Sequence, residues 1–474
     1  MPKTFRSYAP DQMLLLPSSV QDWVPEGDMA HFISDIVDAL DLSEIEAVYE
    51  EELRGYPRYH PRMMTKLWLY AYAVGIRSCR KLARLATRDV GCMMLAAGNR
   101  PDFRTLNSFR LRHLAALGGL FQQVLLLCRE QRLVKLDHVA VDGAKLKANA
   151  SKPAAMSYDR MQPEVDTITA ELDTWFRECD QTDAEEDAQY GADNDAYELP
   201  ENLRTAAKRR EAIRKAIKDL KERAQAEGKT EPDAKAQQNF TDPESRIMKG
   251  GDGAFIQGYN GQAAVDAASQ VIVAARLTHS AADCPQLLEV VAEIEANLGE
   301  LPRELSADAG YCSEANLEAL DELGVTAYVA TGRMPRSYRC PAAPRGRIPA
   351  GLTRRERMKR RLMTKRGRER YRLRQRVVEP VFRQIKNKGL IRIWLRGEEK
   401  AAHEWLLHCT GHNLSKCTGR GRDGNPRLAL PSARQDRRPC RPGQTGPTPL
   451  LHLQLTGPLP LARPRPSTVA RMGC

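Results

Sequence analysis

The chain has 474 residues, a formal net charge of +12 and a pI near 9.2, with 42% hydrophobic residues. This length is typical of two or three domains, and the apolar content is sufficient for a sizeable core, which argues against a disordered chain. The basic balance favours a polyanionic partner, with nucleic acid first and an acidic membrane surface second, although many basic proteins bind neither.

We expect neither a secretory signal nor a membrane span. The apolar run Met13–Leu16 is too short for a signal, and no window approaches the roughly 20 apolar residues of a span. The eleven cysteines form no CxxC pair, and an odd count does not suit a fully paired secreted framework. The chain is therefore predicted to be cytoplasmic and, if it binds DNA, nucleoid-associated.

Residues 1–130 show helical periodicity and are predicted to form an all-helical N-terminal domain. One helix is expected to begin at Pro61 and to end before Gly75, and another to be capped by Thr105. These helices carry basic side chains that can form a DNA-binding surface of the helix-turn-helix type. The candidate DNA-binding residues here are Arg80, Lys81, Arg104 and Arg110. The alternative is a generic helical bundle with solvated basic residues.

From about residue 131 to 416 strands alternate with helices, which predicts an α/β domain with a mixed sheet flanked by helices. Within it, residues 155–245 are highly charged with few β-branched residues, and they indicate a helical insertion. A hairpin is predicted for residues 254–277, with its polar side chains exposed. These polar side chains are Asn260, Gln262 and Asp266.

Residues 417–474 lose all periodicity and are dominated by proline, glycine and arginine. Such a segment cannot bury enough surface to offset chain entropy. It is predicted to be either a disordered basic tail that adds phosphate contacts or the product of a shifted reading frame. Resequencing the gene around the codon for Lys416 would separate these two interpretations.

Three acids occupy settings that suit catalysis. Asp142 is predicted at the end of a strand, before Gly143, and Asp308 at the end of another, at the edge where α/β sheets bind ligands. Glu379 is predicted on a helix rich in Arg and Lys, near a helix start or a kink because Pro380 follows it. Two-metal phosphoryl transfer on DNA needs such a carboxylate cluster, since Mg²⁺ prefers oxygen ligands. A single Asp at a strand end is most often a turn or cap residue, and Glu379 amid arginines also suits an ordinary helix salt bridge, so the argument rests on the three acids together.

Four stretches of sequence form a recognisable combination, from an N-terminal helical region to a signature around Glu379. They are residues 59–110, Val141-Asp142-Gly143-Ala-Lys145, Ala307-Asp308-Ala-Gly310-Tyr311, and Tyr371-Arg-Leu-Arg374 with Val378-Glu379-Pro-Val-Phe382-Arg-Gln-Ile-Lys386. Together they resemble the DDE transposases of bacterial insertion sequences. The resemblance covers residues 1 to about 416 and implies an RNase-H-like fold for the catalytic domain.

The resemblance also implies a site and a reaction. Asp142, Asp308 and Glu379 would bind two Mg²⁺ or Mn²⁺ ions, cleave the ends of the element and direct strand transfer into target DNA. The implied phosphate contacts in this domain come from Lys145, Tyr371, Arg374 and Lys386. The spacing from the tyrosine to the glutamate is one residue longer than in the commonest form of the signature, which bears on the Arg374 assignment.

The expected partners are double-stranded DNA, as terminal inverted repeats and as target, and a second copy of the chain in a synaptic homodimer, with no membrane. One rival function is an RNase-H-like nuclease without strand transfer. A second is a non-catalytic DNA-binding protein or an inactive transposase remnant. A third, an RNA-processing enzyme, has no specific support in the sequence.

Overall fold

A computed structural model of the chain describes residues 19–50, 58–151, 154–190, 201–226, 228–251, 253–332, 346, 349 and 351–418. The predicted tail therefore lies outside the described residues, apart from residues 417 and 418.

The N-terminal region is helical, as predicted. Its helices are α1 Val20–Trp23, α2 Met29–Ala39, α3 Ser43–Glu50, α4 Pro61–Val74, α5 Cys79–Leu85, α6 Val90–Leu95, α7 Phe103–Arg112 and α8 Leu114–Glu130. Helix α4 ends at Gly75, whose φ of 87° is the left-handed conformation that glycine adopts without strain. Among the described helices no single one is long and apolar enough to cross a membrane, although α7 and α8 together, as a bent pair, reach that length and apolarity.

The predicted cap of α7 is wrong. The N-cap is Asp102, whose carboxylate accepts the backbone N–H groups of Arg104 at 2.6 Å and Thr105 at 3.2 Å. The Thr105 hydroxyl donates to the same carboxylate at 2.6 Å. Thr105 therefore supports the cap from within the first turn, because an aspartate three residues earlier captures the free N–H groups more effectively.

The rest of the described chain alternates strands and helices. The elements are β1 Val139–Lys147, β2 Ala155–Ser157, α9 Tyr158–Tyr190, α10 Glu201–Ala226, β3 Gln237–Asn239, β4 Arg246–Lys249, β5 Phe255–Asp266, β6 Ile272–Thr278, α11 Gln286–Leu298, β7 Glu304–Ala307, α12 Glu314–Glu322, β8 Thr326–Val329, α13 Arg354–Met363, α14 Lys365–Asn387 and α15 Glu398–Cys417. Six of the described strands form one mixed sheet. In it β5 pairs antiparallel with β1, β4 and β6, whereas β1, β7 and β8 run parallel to one another. This arrangement confirms the predicted α/β, RNase-H-like fold.

The helical insertion is also confirmed, because α9 and α10 lie between β1 and β5 in the chain and pack against each other. They enclose a small core of their own, separate from the main one. Its fully buried members include Met161 on α9 and Ile213 on α10. The short antiparallel pair β2–β3 stands at the base of the two helices.

One continuous hydrophobic core joins the N-terminal helices to the sheet. Helix α15 lies at the centre of it, packed against α4, α8 and β6. Trp405 of α15 is fully buried, stacks on Phe382 of α14 with ring centroids 6.0 Å apart, and donates its Nε1–H to the Gln262 carbonyl. This packing fixes α14 against the sheet.

Candidate active site

Strand register brings Asp142 and Asp308 to the same level of the sheet. In the parallel pair β1–β7, Ala140 lies opposite Ser306. Asp142 and Asp308 each follow that pair by two residues, so they lie on one face of neighbouring strands, which run about 4.8 Å apart. Asp308 is the first residue after β7, and its carboxylate accepts the Gly310 N–H at 2.8 Å as the cap of a short 3-10 turn.

Asp142 differs from the prediction in one respect, because it does not end its strand. β1 continues through Gly143 to Lys147, and Gly143 pairs with Gln262 of β5. A glycine there suggests a turn from local sequence alone, but in the structure it provides space inside the sheet.

Glu379 lies in the interior of α14, so of the two predicted settings, a helix start or a kink, the helix start is wrong. Pro380 follows it without ending the helix. A proline has no N–H for the carbonyl four residues earlier, which here belongs to Arg376. That carbonyl accepts a hydrogen bond from Gln270 Nε2 at 3.0 Å instead. A side chain from the loop between β5 and β6 thus compensates the missing helical bond and keeps Glu379 in place beside the sheet.

One guanidinium connects two of the three acids. Arg374 on α14 donates Nη1 to Asp142 Oδ2 at 2.8 Å and Nη2 to Glu379 Oε1 at 3.2 Å. The side chains of Arg374 and Asp142 are largely buried, whereas that of Glu379 is about half exposed. The arginine predicted from the signature therefore lies at the site despite its unusual spacing.

The electrostatics show that the acids crowd one another. Burial raises the pKa of Asp142 to about 6, against the opposing effect of the Arg374 guanidinium. The negative charges of Asp308 and Glu379 contribute to the same rise in pKa. Burial disfavours the charge on Arg374, but Asp142, Tyr371 and Glu379 raise its pKa overall. Asp308 and Glu379 therefore both lie close enough to Asp142 to disfavour its charge.

The chemistry of the donor atoms in this set of residues suits divalent ions. Within the described ranges no three Asp, Glu, His or Cys side chains are already arranged around an ion position. Arg374 lies between Asp142 and Glu379 and supplies the positive charge there. The available donors are carboxylate oxygens, which hard cations such as Mg²⁺ and Mn²⁺ prefer. Their mutual repulsion is a further reason for a cation to bind.

The other predicted DNA-binding residues of this domain have different settings. Tyr371 is partly buried beside Arg374, and burial raises its pKa. Lys386 is exposed on α14, about two helical turns beyond Glu379. Lys145 is not free, because its Nζ donates to the Ala281 carbonyl at 2.8 Å and to a carboxylate described below at 3.0 Å.

The basic residues of the N-terminal region divide into two groups. Arg80, Lys81 and Arg104 are exposed on α5 and α7, and the guanidinium groups of the two arginines lie 5.1 and 5.7 Å from the ring of Phe103. Arg110 is placed elsewhere: its side chain is buried, with the guanidinium 4.6 Å from the ring of Trp68. It packs in the core and does not present a charge to DNA.

Sequence reasoning missed a buried polar network next to the acids. Asn260 and Gln262 of β5 are fully buried and Asp266 is 1% exposed, so the prediction of exposed strand polarity is wrong. Asn260 and Gln262 both donate to Asp283, in the loop between β6 and α11. The available signal was the two-residue spacing of the amides, which places them on the same face as Gly143 and Lys145 in the adjacent strand.

Comparison with known families agrees with this description. Residues 228–414 match the family described as Transposase DDE domain, and residues 18–112 match that described as Transposase domain (DUF772). The first match contains Asp308 and Glu379 and begins after Asp142. Comparisons with curated proteins and with solved structures found no match. Both matches are to transposase domains, one over the N-terminal helices and one over most of the mixed sheet, and together they identify the chain as a DDE transposase of the insertion-sequence type.

Proposed function

We propose that the chain cleaves DNA at the ends of an insertion sequence and joins those ends to target DNA, using Asp142, Asp308 and Glu379. The observation that carries this proposal is the convergence of the three acids. They come from a strand, from the turn after its neighbouring strand and from a helix, and each of the other two raises the pKa of Asp142. Acids that approach one another in this way, with Asp142 largely buried, are unfavourable unless they bind cations.

The three carboxylates would hold two Mg²⁺ or Mn²⁺ ions. Such ions, when bound, activate a water or a 3′ hydroxyl and neutralise charge on the attacked phosphate. Arg374 would then leave at least one of its two carboxylate partners, and its guanidinium would bind a DNA phosphate, which suits its planar set of donors. Tyr371, beside it, would support the same contact.

DNA would reach the site along a basic surface. Lys386 is exposed on the same helix as Glu379, and Arg80, Lys81 and Arg104 are exposed on the N-terminal helices. We assign phosphate contacts to these residues and omit Arg110, which is buried. The terminal inverted repeats would be read in this N-terminal region, and two ends would be held by a homodimer acting at the nucleoid.

The test is a cleavage and strand-transfer assay with the full chain. The substrate is a DNA fragment that carries the sequence flanking the gene on both sides, incubated with and without Mg²⁺. Asp142→Asn and Glu379→Gln should bind this DNA as the wild type does and lose cleavage. The matched controls are Asp137→Asn, an exposed acid before β1, and Glu369→Gln, an exposed acid earlier on α14. Both should retain full cleavage.

Each rival function has a distinct result in this assay. Cleavage without joined products would favour a nuclease, and DNA binding without Mg²⁺-dependent cleavage would favour a non-catalytic protein. Full cleavage by Asp142→Asn or Glu379→Gln would remove the assigned acids from the mechanism.

A further inference from the structure

We propose that Asp283 is a positioning residue that fixes the Asp308 turn against β1 and so sets the separation of the metal-binding acids. This inference rests on the proposed function and deepens it. Asp283 belongs to none of the four sequence stretches that carry the family resemblance. It lies in the loop between β6 and α11, next to the site but on the opposite face of β1 from Asp142.

Asp283 is a hub for three donors from two strands. Its Oδ1 accepts Asn260 Nδ2 at 2.7 Å, Gln262 Nε2 at 2.9 Å and Lys145 Nζ at 3.0 Å. Asn260 and Gln262 are fully buried, and burying an amide is costly unless its hydrogen bonds are made. The sheet thus buries two amides whose donors both converge on a single carboxylate oxygen.

The network reaches the Asp308 turn from two directions. Tyr311, which ends the turn and is fully buried, donates its hydroxyl to Gln262 Oε1. A methyl group on Gly310, in the middle of the turn, would lie 3.0 Å from Asp308 Oδ1 and 3.5 Å from Asp283 Oδ2. The carboxylates of Asp308 and Asp283 therefore both lie close to the Cα of Gly310, so a shift of Asp283 would reach the turn that carries Asp308.

The same network reaches β1, which carries Asp142. Lys145 follows Asp142 by three residues, and its ammonium bonds to Asp283. A methyl group on Gly143 would lie 2.5 Å from Gln262 Nε2 and 2.9 Å from Asp283 Oδ1. This explains why glycine follows the catalytic aspartate inside a strand, because the side chain of any larger residue would displace Gln262 and Asp283.

This role can be tested by measuring Mn²⁺ binding to the metal-free full chain. The measurement uses calorimetry without DNA, well below the unfolding temperature. Asp283→Ala should weaken Mn²⁺ binding by about 10- to 100-fold, the usual effect of losing a group that orients metal ligands. Asp283→Asn keeps an acceptor oxygen for the two amides, so it should recover part of that loss. The control is Glu293→Gln, a partly buried acid on α11 that accepts the Ala275 N–H and does not contact the site.

A double-mutant cycle then tests whether the effect passes through the turn. Tyr311→Phe removes the hydroxyl bond to Gln262 and should also weaken Mn²⁺ binding. Because both residues act on the same turn, the double variant Asp283→Ala/Tyr311→Phe should lose less than the product of the two single effects. Glu293→Gln should leave Mn²⁺ binding unchanged and combine with Asp283→Ala without coupling.

The outcomes separate this inference from the proposed function. Wild-type Mn²⁺ affinity in Asp283→Ala, or independent effects of Asp283 and Tyr311, would overturn the positioning role. A loss in Asp283→Asn as complete as in Asp283→Ala would overturn it too, because it would make Asp283 a ligand. Absence of Mn²⁺ binding to the wild type would instead overturn the proposed function. If Asp283→Ala does not fold, Asp283→Asn combined with Tyr311→Phe carries the same cycle.

Discussion

Replacing Asp142 by Asn should stabilise the metal-free protein at neutral pH while abolishing its proposed activity. Burial raises the pKa of Asp142 from 3.8 to about 6. Ionising this carboxyl in the folded protein therefore costs about 3 kcal/mol more than in the unfolded chain, at about 1.4 kcal/mol per pKa unit. Asparagine has nearly the same shape, retains an oxygen for the Arg374 guanidinium and carries no charge, so it avoids this cost at every pH.

The pH dependence follows from the direction of the shift. An acid whose folded-state pKa is raised binds its proton more tightly in the folded protein, so between about pH 4 and 6 the wild type loses stability as the pH rises. The advantage of Asp142→Asn should thus be near zero at pH 4, grow through pH 5 and 6, and level off by pH 7.5 at up to about 3 kcal/mol. Urea unfolding of both proteins in EDTA at these pH values measures the free energy of unfolding directly.

Asp41→Asn provides a control of opposite sign. The Ser43 N–H donates to the Asp41 carboxylate at 2.9 Å and lowers the pKa of that group. This variant should be less stable than the wild type at pH 7.5, with a difference that shrinks as the solution becomes acidic. Adding Mg²⁺ should stabilise the wild type but not Asp142→Asn. A lower stability of Asp142→Asn than of the wild type at pH 7.5, or an equal advantage at pH 4 and pH 7.5, would contradict this assignment of the Asp142 charge.

Two further predictions concern the packing that supports the site. Trp405→Ala removes a fully buried ring stacked on Phe382 and should lower the free energy of unfolding by about 3–5 kcal/mol, whereas Trp405→Phe should cost much less. Gly411→Ala would place a methyl group 2.6 Å from the Tyr72 carbonyl carbon and should destabilise by about 1–3 kcal/mol in urea unfolding. Gly119→Ala, with open space around the new methyl group, should be neutral or stabilising by up to about 1 kcal/mol, and equal losses in the two glycine variants would refute the steric argument.

Local sequence signals were sufficient for the elements whose ends are set by their own residues. Pro61 and Gly75 delimit α4 because proline suits a first turn and glycine a left-handed end, and neither effect needs a distant partner. The hairpin of β5 and β6 and the helix capped by Ser313 follow from equally local rules. These elements alternate in an order that few sheet topologies accommodate, which is why the α/β class could be predicted.

The errors share a different cause, which is a partner far away in the chain. Gly143 suggested the end of a strand because the residues that need its space, among them Gln262, are more than a hundred positions later. Pro380 suggested a helix start because nothing near it reveals that Gln270 bonds the unpaired carbonyl. Arg110 suggested a DNA contact because it belongs to a basic helix, but its guanidinium packs on the ring of Trp68 in the core.

The candidate site combines residues with local sequence signals and residues whose partners are distant in the chain. The three acids could be proposed from the sequence, because their order and settings taken together suit a carboxylate cluster. The groups that determine how those acids behave could not be identified in this way. Arg374 donates to Asp142 across 232 positions of sequence, and Asp283 accepts from Lys145 across 138. With Arg374 in place, three carboxylates face one guanidinium, so the cluster keeps an excess of negative charge that further cations can relieve. This excess of negative charge is a property of the folded chain. It depends on how the fold brings Arg374 of α14 to Asp142 of the sheet, and no single stretch of sequence contains both residues.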